Sequence, residues 1–165
     1  DLPTLMGERT PWWTAKASGA LIGFTLGHER RHVIRAVYEG VMQSLRHCGE
    51  ILRENGLSSD SPLTMIGGGA KSRLWAQMAA DMFGVPVGVP QTPRSATSLG
   101  AALTAGVGIG WYADFEDAAR CIHIQRVYEP DAVRYVAYER HFEVFRCLYP
   151  QMREAYEAVY QYQQM

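Results

Sequence analysis

Three consecutive glycines, Gly67, Gly68 and Gly69, separate an apolar stretch that ends at Ile66 from a helical pattern that begins after Ser72. Because glycine has no Cβ, the backbone N–H groups at such a strand–turn–helix junction can come close to a ligand. The start of the helix adds the positive end of a dipole, which suits phosphate. The segment matches neither the Walker A pattern nor GxGxxG, so a purely structural turn is the alternative.

A second motif, His28-Glu29-Arg30-Arg31-His32, has the HExxH spacing of zinc peptidases, with Glu50 and Glu54 as possible third ligands. At 100° per residue, His28 and His32 lie on the helix side opposite an apolar stripe. They would therefore face solvent or another domain, and the two arginines would repel a cation. The residues favour a polar helix start, and we expect no metal site.

A third motif is Gly7-Glu8-Arg9-Thr10-Pro11, which is followed by Trp12 and Trp13. Such a segment is an irregular loop whose aromatic side chains either pack on the core or line a substrate cleft. The sequence leaves both readings open.

The elements that must position these motifs alternate between strands and helices, which indicates an α/β fold. The first helix, about residues 29–55, carries an apolar stripe at steps of three and four residues: Ile34, Val37, Val41, Leu45, Cys48 and Leu52. Three short strands are few for a free-standing sheet, so the chain resembles the later part of a domain whose first strands are missing. We predict strands at 20–24, 63–66 and 85–90 and a loop at 57–62. The next helix has Ser72 as its N-cap, runs to about Phe83 and is closed by Gly84. Further helices are predicted at 98–106 and 114–122, and a final helix at 132–161 that Pro150 kinks or splits.

The composition is that of one globular domain: 165 residues, 47% hydrophobic, 20% charged, net charge −1. It gives no reason to expect nucleic acid or a membrane surface as a partner, and no apolar run approaches the roughly 20 residues of a membrane span. Three widely spaced cysteines predict free thiols in a reducing cytoplasm. Because the chain begins at Asp1, we expect a processed product or a piece of something longer.

Taken together, the motifs resemble the C-terminal domain of the FGGY family of carbohydrate kinases, most closely its xylulokinase-like branch. Each motif is weak alone, but they occur in the family's order and cover the chain to about Tyr149. They are Gly7 to Pro11, Gly19 to Gly23, Arg35 to Val41, Gly67 to Ser72 with Leu74-Trp75, Ala80 to Gly84, and Leu99-Gly100-Ala101-Ala102.

The resemblance implies a partial ribonuclease-H-like domain of the actin/hexokinase type, with a short mixed sheet, flanking helices and a long C-terminal helix. It also implies that the whole chain, residues 1–165, is a single, truncated nucleotide-binding domain. By that analogy the three glycines approach the phosphates and ribose of ATP, and Leu99 and Gly100 lie near the adenine. Bordering the nucleotide pocket are Ala70, Lys71 and Ser72, of which Lys71 either pairs with phosphate or faces solvent.

The implied activity is phosphorylation of a ketopentose such as xylulose, or of a related polyol, with ATP and Mg²⁺. In the family the catalytic base is an aspartate of the first domain, and no stretch here matches that segment, so no catalytic residue is assigned. The implied partners are that N-terminal domain, ATP and a small sugar, and a homodimer is left open. Ser95 stands where the family commonly has an acidic residue, which weakens the choice of xylulose. The alternative hypothesis is a non-catalytic α/β assembly module that uses its C-terminal helix.

Overall fold

The computed structural model describes residues 1–57 and 62–165, so most of the loop expected at 57–62 lies outside the described residues. The chain divides into two compact units. Unit 1 consists of residues 1–59 and 132–165, and unit 2 consists of residues 60–131.

Unit 1 is built on two helices, α1 (Arg30–Glu54) and α5 (Ala132–Gln163), which contact each other. The buried side of α1 combines Gly40 and Met42, which is 1% exposed, with two polar residues, Gln43 at 0% and Arg46 at 5% exposure. Arg46 forms an ion pair with Glu139 of α5, and its guanidinium carbon lies 4.3 Å from the centre of the Phe142 ring. A buried charge needs such a partner, because an unpaired one costs several kcal/mol.

Four of the six stripe residues of α1 are exposed and the other two, Val41 and Cys48, are half-buried, contrary to the expectation that the stripe covers a core. Ile34 is 44% exposed, and Leu45 and Leu52 are each 51% exposed. The predicted helix is therefore present, but the described residues of unit 1 bury its opposite side.

The core of unit 1 lies between α5 and the N-terminal segment and contains Leu2, Ala17, Phe142, Phe145, Tyr149 and Tyr156. α5 runs through Pro150 as one helix, so of the two predicted outcomes the split is wrong and the kink stays a prediction. Aromatic residues on both sides of Pro150 pack in the same cluster, and this packing outweighs the loss of one helical hydrogen bond. The strand predicted at 20–24 is also wrong, since only Ala20 pairs, with Leu2.

The segment after Gly7 forms a tight turn. Glu8 and Thr14 exchange two backbone hydrogen bonds of 2.7 Å, and the Glu8 carboxylate accepts the N–H groups of Arg9 and Thr10. Trp12 then stacks on Tyr149 of α5 with ring centres 5.0 Å apart. This arrangement matches the reading in which an aromatic side chain of the loop packs on the core of unit 1.

Unit 2 contains a three-stranded mixed sheet in the order β1 (Leu63–Thr64), β2 (Val87–Pro90), β3 (Ile124–Tyr128). β2 pairs parallel with β1 and antiparallel with β3. Val87 of β2 lies opposite Leu63 of β1 and opposite Tyr128 of β3. β3 lies where no strand was predicted. Its β-branched Ile124 and Val127, followed by Pro130, are the sequence signal for it.

Helix α2 (Arg73–Phe83) connects β1 to β2, so these elements form a β–α–β unit. Its predicted ends are confirmed: Ser72 is the N-cap, and Gly84 ends the helix with φ 68°. Two further helices follow β2, namely α3 (Ala96–Gly108) and α4 (Phe115–Ala119). No helix in residues 1–57 and 62–165 is long and apolar enough to cross a membrane.

We predict that the stability of unit 1 depends on the ionisation of His47. Burial, followed by the charge of Arg146, lowers the pKa of His47, while three nearby glutamates act in the opposite direction. Below about pH 6.5 the unfolded chain therefore binds a proton that the folded His47 resists, and the free energy of unfolding falls with decreasing pH. His47→Gln should flatten this dependence in urea unfolding between pH 5 and 8. The exposed His123→Gln serves as the control. An unchanged slope in His47→Gln would contradict the prediction.

Candidate functional site

The glycine loop of unit 2 lies between β1 and α2, as predicted. Gly67 has φ 83°, a left-handed conformation that disfavours any side chain. Its N–H donates a 2.7 Å hydrogen bond to the carbonyl of Pro93. Pro93 begins a 3-10 turn, Pro93–Ser95, that leads directly into α3. This bond ties the glycine loop to the start of α3.

The next two glycines have different surroundings. A Cβ on Gly69 would lie 2.6 Å from Cε3 of Trp75, so the indole ring of α2 requires a glycine there. Gly68 has ordinary right-handed angles, φ −66° and ψ −38°, and no atom lies within 4 Å of a Cβ built on it. Thus the described contacts of unit 2 explain Gly67 and Gly69, but they give no reason for a glycine at position 68.

The three residues after the glycines have separate environments. Ala70 is buried with Ala76 and Val89 in the core of unit 2. Lys71 is exposed and ends the 3-10 turn Gly69–Lys71. The Ser72 hydroxyl accepts the Trp75 N–H at 3.3 Å, which caps α2. Ala70 and Ser72 therefore shape the loop, and Lys71 is the one of the three whose side chain is open to solvent.

Leu99 and Gly100 lie about one turn inside α3, whose N-cap is Ser95. Leu99 is half-buried, while Gly100 is exposed and has no atom within 4 Å of a Cβ built on it. The Thr104 hydroxyl donates to the Gly100 carbonyl at 2.8 Å. The structure connects the loop to the beginning of this helix through Pro93, and Gly100, like Gly68, presents open space.

Two basic residues near the loop were not among the predicted site residues. Arg73 is the first residue of α2, and Arg94 follows Pro93 in the 3-10 turn; both are exposed, as is Lys71. Neither 67–75 nor 91–100 contains an acidic residue. The signal was present in the sequence as three cations without a nearby acid, a composition that attracts anions.

The loop offers backbone N–H groups and cations, but it holds no group placed for proton transfer. Asp81 of α2 is 2% exposed, and its carboxylate accepts hydrogen bonds from Gln77 Nε2 and from the Asp131 N–H, each at 2.9 Å. That carboxylate therefore holds the turn after β3 against α2. The chemistry that this arrangement supports is anion binding.

The HExxH motif lies in unit 1, where His28 and His32 are exposed. Nδ1 of His28 accepts the Thr25 N–H at 3.0 Å, and Nδ1 of His32 accepts the Glu29 N–H at 2.9 Å. In the neutral ring the proton is then on Nε2, which leaves no free lone pair for a metal. Within the described ranges, no group of three or more His, Cys, Asp or Glu residues could hold a metal ion.

The contrast between Gly68 and Gly69 gives a prediction about stability. Gly69→Ala should lower the free energy of unfolding by about 1–3 kcal/mol, because its Cβ meets the Trp75 ring. Gly68→Ala should leave it unchanged or raise it by up to about 1 kcal/mol, because the alanine fits and restricts the unfolded chain. Gly108→Ala, which also meets open space, is the matched control. Urea unfolding measures the free energy of unfolding of all three variants. Equal changes in Gly68→Ala and Gly69→Ala would refute the prediction.

Comparison with known proteins relates this site to a family. The sequence profile of the C-terminal domain of the FGGY family of carbohydrate kinases matches residues 2–109. The xylulose kinase of Staphylococcus epidermidis is 37% identical over 153 residues, which are 92% of this chain and 30% of that protein. This chain thus spans about a third of the length of such curated relatives.

Solved structures agree. The gluconate kinase of Lactobacillus acidophilus has a TM-score of 0.86 at 28% identity over 96% of this chain and 32% of its own. The ligand-bound xylulose kinase of the same species has a TM-score of 0.85 at 26% identity, again over 96% of this chain and 32% of its own. The predicted α/β class, with a short mixed sheet in a partial ribonuclease-H-like fold, is confirmed. On both sequence and structure, the chain belongs to the FGGY family of carbohydrate kinases, and it carries the C-terminal domain of that family.

Proposed function

We propose that this chain is the nucleotide-binding part of a cytoplasmic kinase that phosphorylates a sugar with ATP. The observation that carries the proposal is the open space in front of Gly68. The other two glycines of the same loop, Gly67 and Gly69, are required by the fold itself. A glycine that no intramolecular contact demands is expected where a ligand approaches the backbone. The glycine loop supplies N–H groups for the phosphates, and Gly100 leaves room for the adenine ring of ATP.

The charges around the loop favour a polyphosphate. The exposed side chains of Lys71, Arg73 and Arg94 lie in two segments, 67–75 and 91–100, that contain no acidic residue. The N-terminal end of α2 adds the partial positive charge of the helix dipole. Lys71 is proposed to pair with a phosphate.

The sugar is proposed to be a ketopentose such as xylulose, or a related polyol. The relatives support this class, since xylulose kinases and a gluconate kinase are among them. Phosphoryl transfer also needs Mg²⁺, which neutralises charge on the transferred group, and a base that accepts the proton of the sugar hydroxyl. We assign both the base and the sugar contacts to a part of the enzyme outside this chain, because the glycine loop offers no free carboxylate.

A chimera tests the proposed function directly. The matching 153-residue segment of the S. epidermidis xylulose kinase is replaced by this chain, and ATP-dependent phosphorylation of D-xylulose is measured, with ribulose and glycerol as competitors. Turnover of xylulose with ATP supports the proposal. A folded chimera that binds no ATP would overturn it, and a preference for another sugar would correct the substrate.

We predict that Gly68→Gln in this chimera raises the KM for ATP by roughly tenfold, equivalent to about 1.4 kcal/mol. The added side chain fills the space assigned to the nucleotide, whereas the fold tolerates it because no atom lies within 4 Å of a Cβ at this position. Gly108→Gln in α3 is the control and should keep the KM. An unchanged KM in Gly68→Gln would count against the role of the loop.

We predict that the isolated 165-residue chain does not phosphorylate D-xylulose and binds ATP weakly. The reason is that the catalytic base and part of the ATP site are assigned to the part of the enzyme outside this chain. Isothermal titration with MgATP and a coupled assay check both statements. Turnover by the isolated chain would disprove the assignment of the base to another part of the enzyme.

The alternative hypothesis, an assembly module, stays a prediction. Exposed apolar side chains on α5, such as Val133 at 81% and Val144 at 59%, are the feature that favours it. Light scattering with and without ATP distinguishes the two functions. Oligomers that form regardless of nucleotide, and that Val133→Glu disperses, would favour assembly.

A further inference from the structure

The turn that carries Arg94 is held against the glycine loop by its backbone. It is the 3-10 turn Pro93–Ser95, which lies between β2 and α3. The carbonyl of Pro93, the residue directly before Arg94, accepts the Gly67 N–H at 2.7 Å. Arg94 therefore starts from a backbone position beside the loop, although it belongs to a different segment of the chain.

The side chain of Arg94 is available to a ligand. It is exposed, and within residues 1–57 and 62–165 it takes part in no hydrogen bond or ion pair. The segment 91–100 contains no carboxylate that could neutralise it. A guanidinium in this state can donate two parallel hydrogen bonds to a phosphate.

The start of α3 adds to the charge of Arg94. Ser95, the N-cap of α3, makes no capping hydrogen bond with its side chain, and the first turn of the helix contains no acidic residue. No side chain of α3 therefore compensates the positive end of the helix dipole. Arg94 and this helix end attract an anion together.

Which phosphates reach Arg94 depends on the direction of the nucleotide, and this step rests on the proposed function. There the adenine lies at Gly100 and the phosphates lie along the glycine loop. Gly100 is about 9 Å further along α3 than Arg94, because each helical residue adds about 1.5 Å. The loop, in contrast, is tied to the start of α3 through Pro93. The nucleotide then runs from Gly100 towards the start of α3, and the phosphates nearest the ribose come to Arg94.

We propose that Arg94 binds the α- and β-phosphates of the nucleotide, which are the two phosphates that ADP keeps after transfer. This contact is the same in bound ATP and in the transition state. Such an interaction lowers the KM for ATP without raising kcat. Because the same contact also holds the product, Arg94 makes the site sensitive to inhibition by ADP.

Arg94→Ala in the chimera described above tests the proposal. We expect the KM for ATP and the inhibition constant for ADP to rise together, each by roughly tenfold, because a charge-assisted hydrogen bond to phosphate is lost. The kcat should not fall. Arg94→Lys should restore part of the affinity, because it keeps the charge and loses the bidentate geometry. Arg120→Ala, at an exposed arginine that ends α4, is the control and should change neither constant.

A series of ligands separates a phosphate contact from a structural effect of the turn. Isothermal titration of the chimera with ADP, AMP and adenosine should show that Arg94→Ala weakens ADP most, AMP less and adenosine not at all. An equal loss for the three ligands would make Arg94 a structural residue and overturn the proposal. A higher KM for ATP with unchanged ADP affinity would place Arg94 at the transferred phosphate, which also contradicts it. Loss of ADP affinity in Lys71→Ala and not in Arg94→Ala would assign the two phosphates to Lys71 instead.

Failure of this proposal is distinguishable from failure of the proposed function. A folded, unmutated chimera that binds no ATP refutes the nucleotide site and the Arg94 contact with it. A chimera that phosphorylates xylulose with ATP, and whose Arg94→Ala variant keeps its affinity for ADP, refutes the role of Arg94 alone.

Discussion

The ion pair between Arg46 of α1 and Glu139 of α5 is the interaction on which the packing of unit 1 depends. The Arg46 guanidinium is almost fully buried and needs counter-charges, which Glu139 supplies from α5 and Glu50, at 3.7 Å, from the next turn of α1. The neighbouring turns of α1 make similar contacts, since the Tyr138 hydroxyl donates to Glu39 and Gln43 bonds His141. These contacts hold α5 on the side of α1 that carries Glu39, Gln43 and Arg46. The stripe residues Ile34, Leu45 and Leu52 of α1 are thereby left exposed.

Unit 2 depends on a different constraint, the closeness of backbone and side chains at the glycine loop. Gly67 provides the left-handed turn and the bond to Pro93, and Gly69 makes room for Trp75. Once these two positions are explained by the fold, Gly68 stands out as a glycine with empty space before it. Adjacent glycines of one motif thus differ in role: Gly67 and Gly69 satisfy contacts within unit 2, and Gly68 faces open space. Short glycine motifs carry little specificity for this reason, since identical residues can have unrelated causes.

Much of the local structure was predictable. The helix starting after Ser72 and ending at Gly84 followed from a capping residue and a glycine, which act within a few residues of chain. The family was recognisable from the order of weak motifs. The errors concern β3 and the segment 20–24, whose strand character depends on a partner. Val127 finds a partner in Gly88, whereas Leu21 to Phe24 are exposed and have no partner strand among the described residues. The single domain expected for residues 1–165 stays a prediction.

By itself, the sequence determined the helices, their caps, the α/β class and the family, because each of these depends on periodicity, on local turn chemistry or on motif order. Only the tertiary structure decided which side of α1 is buried and whether α5 continues through Pro150. It also decided which glycine of the loop has open space in front of it. The physical reason is the same in the three cases. Hydrophobic periodicity shows that a helix has two sides, and it gives no information on the partner. The burial of a side chain, and the space in front of a Cβ, depend on residues that are distant in sequence.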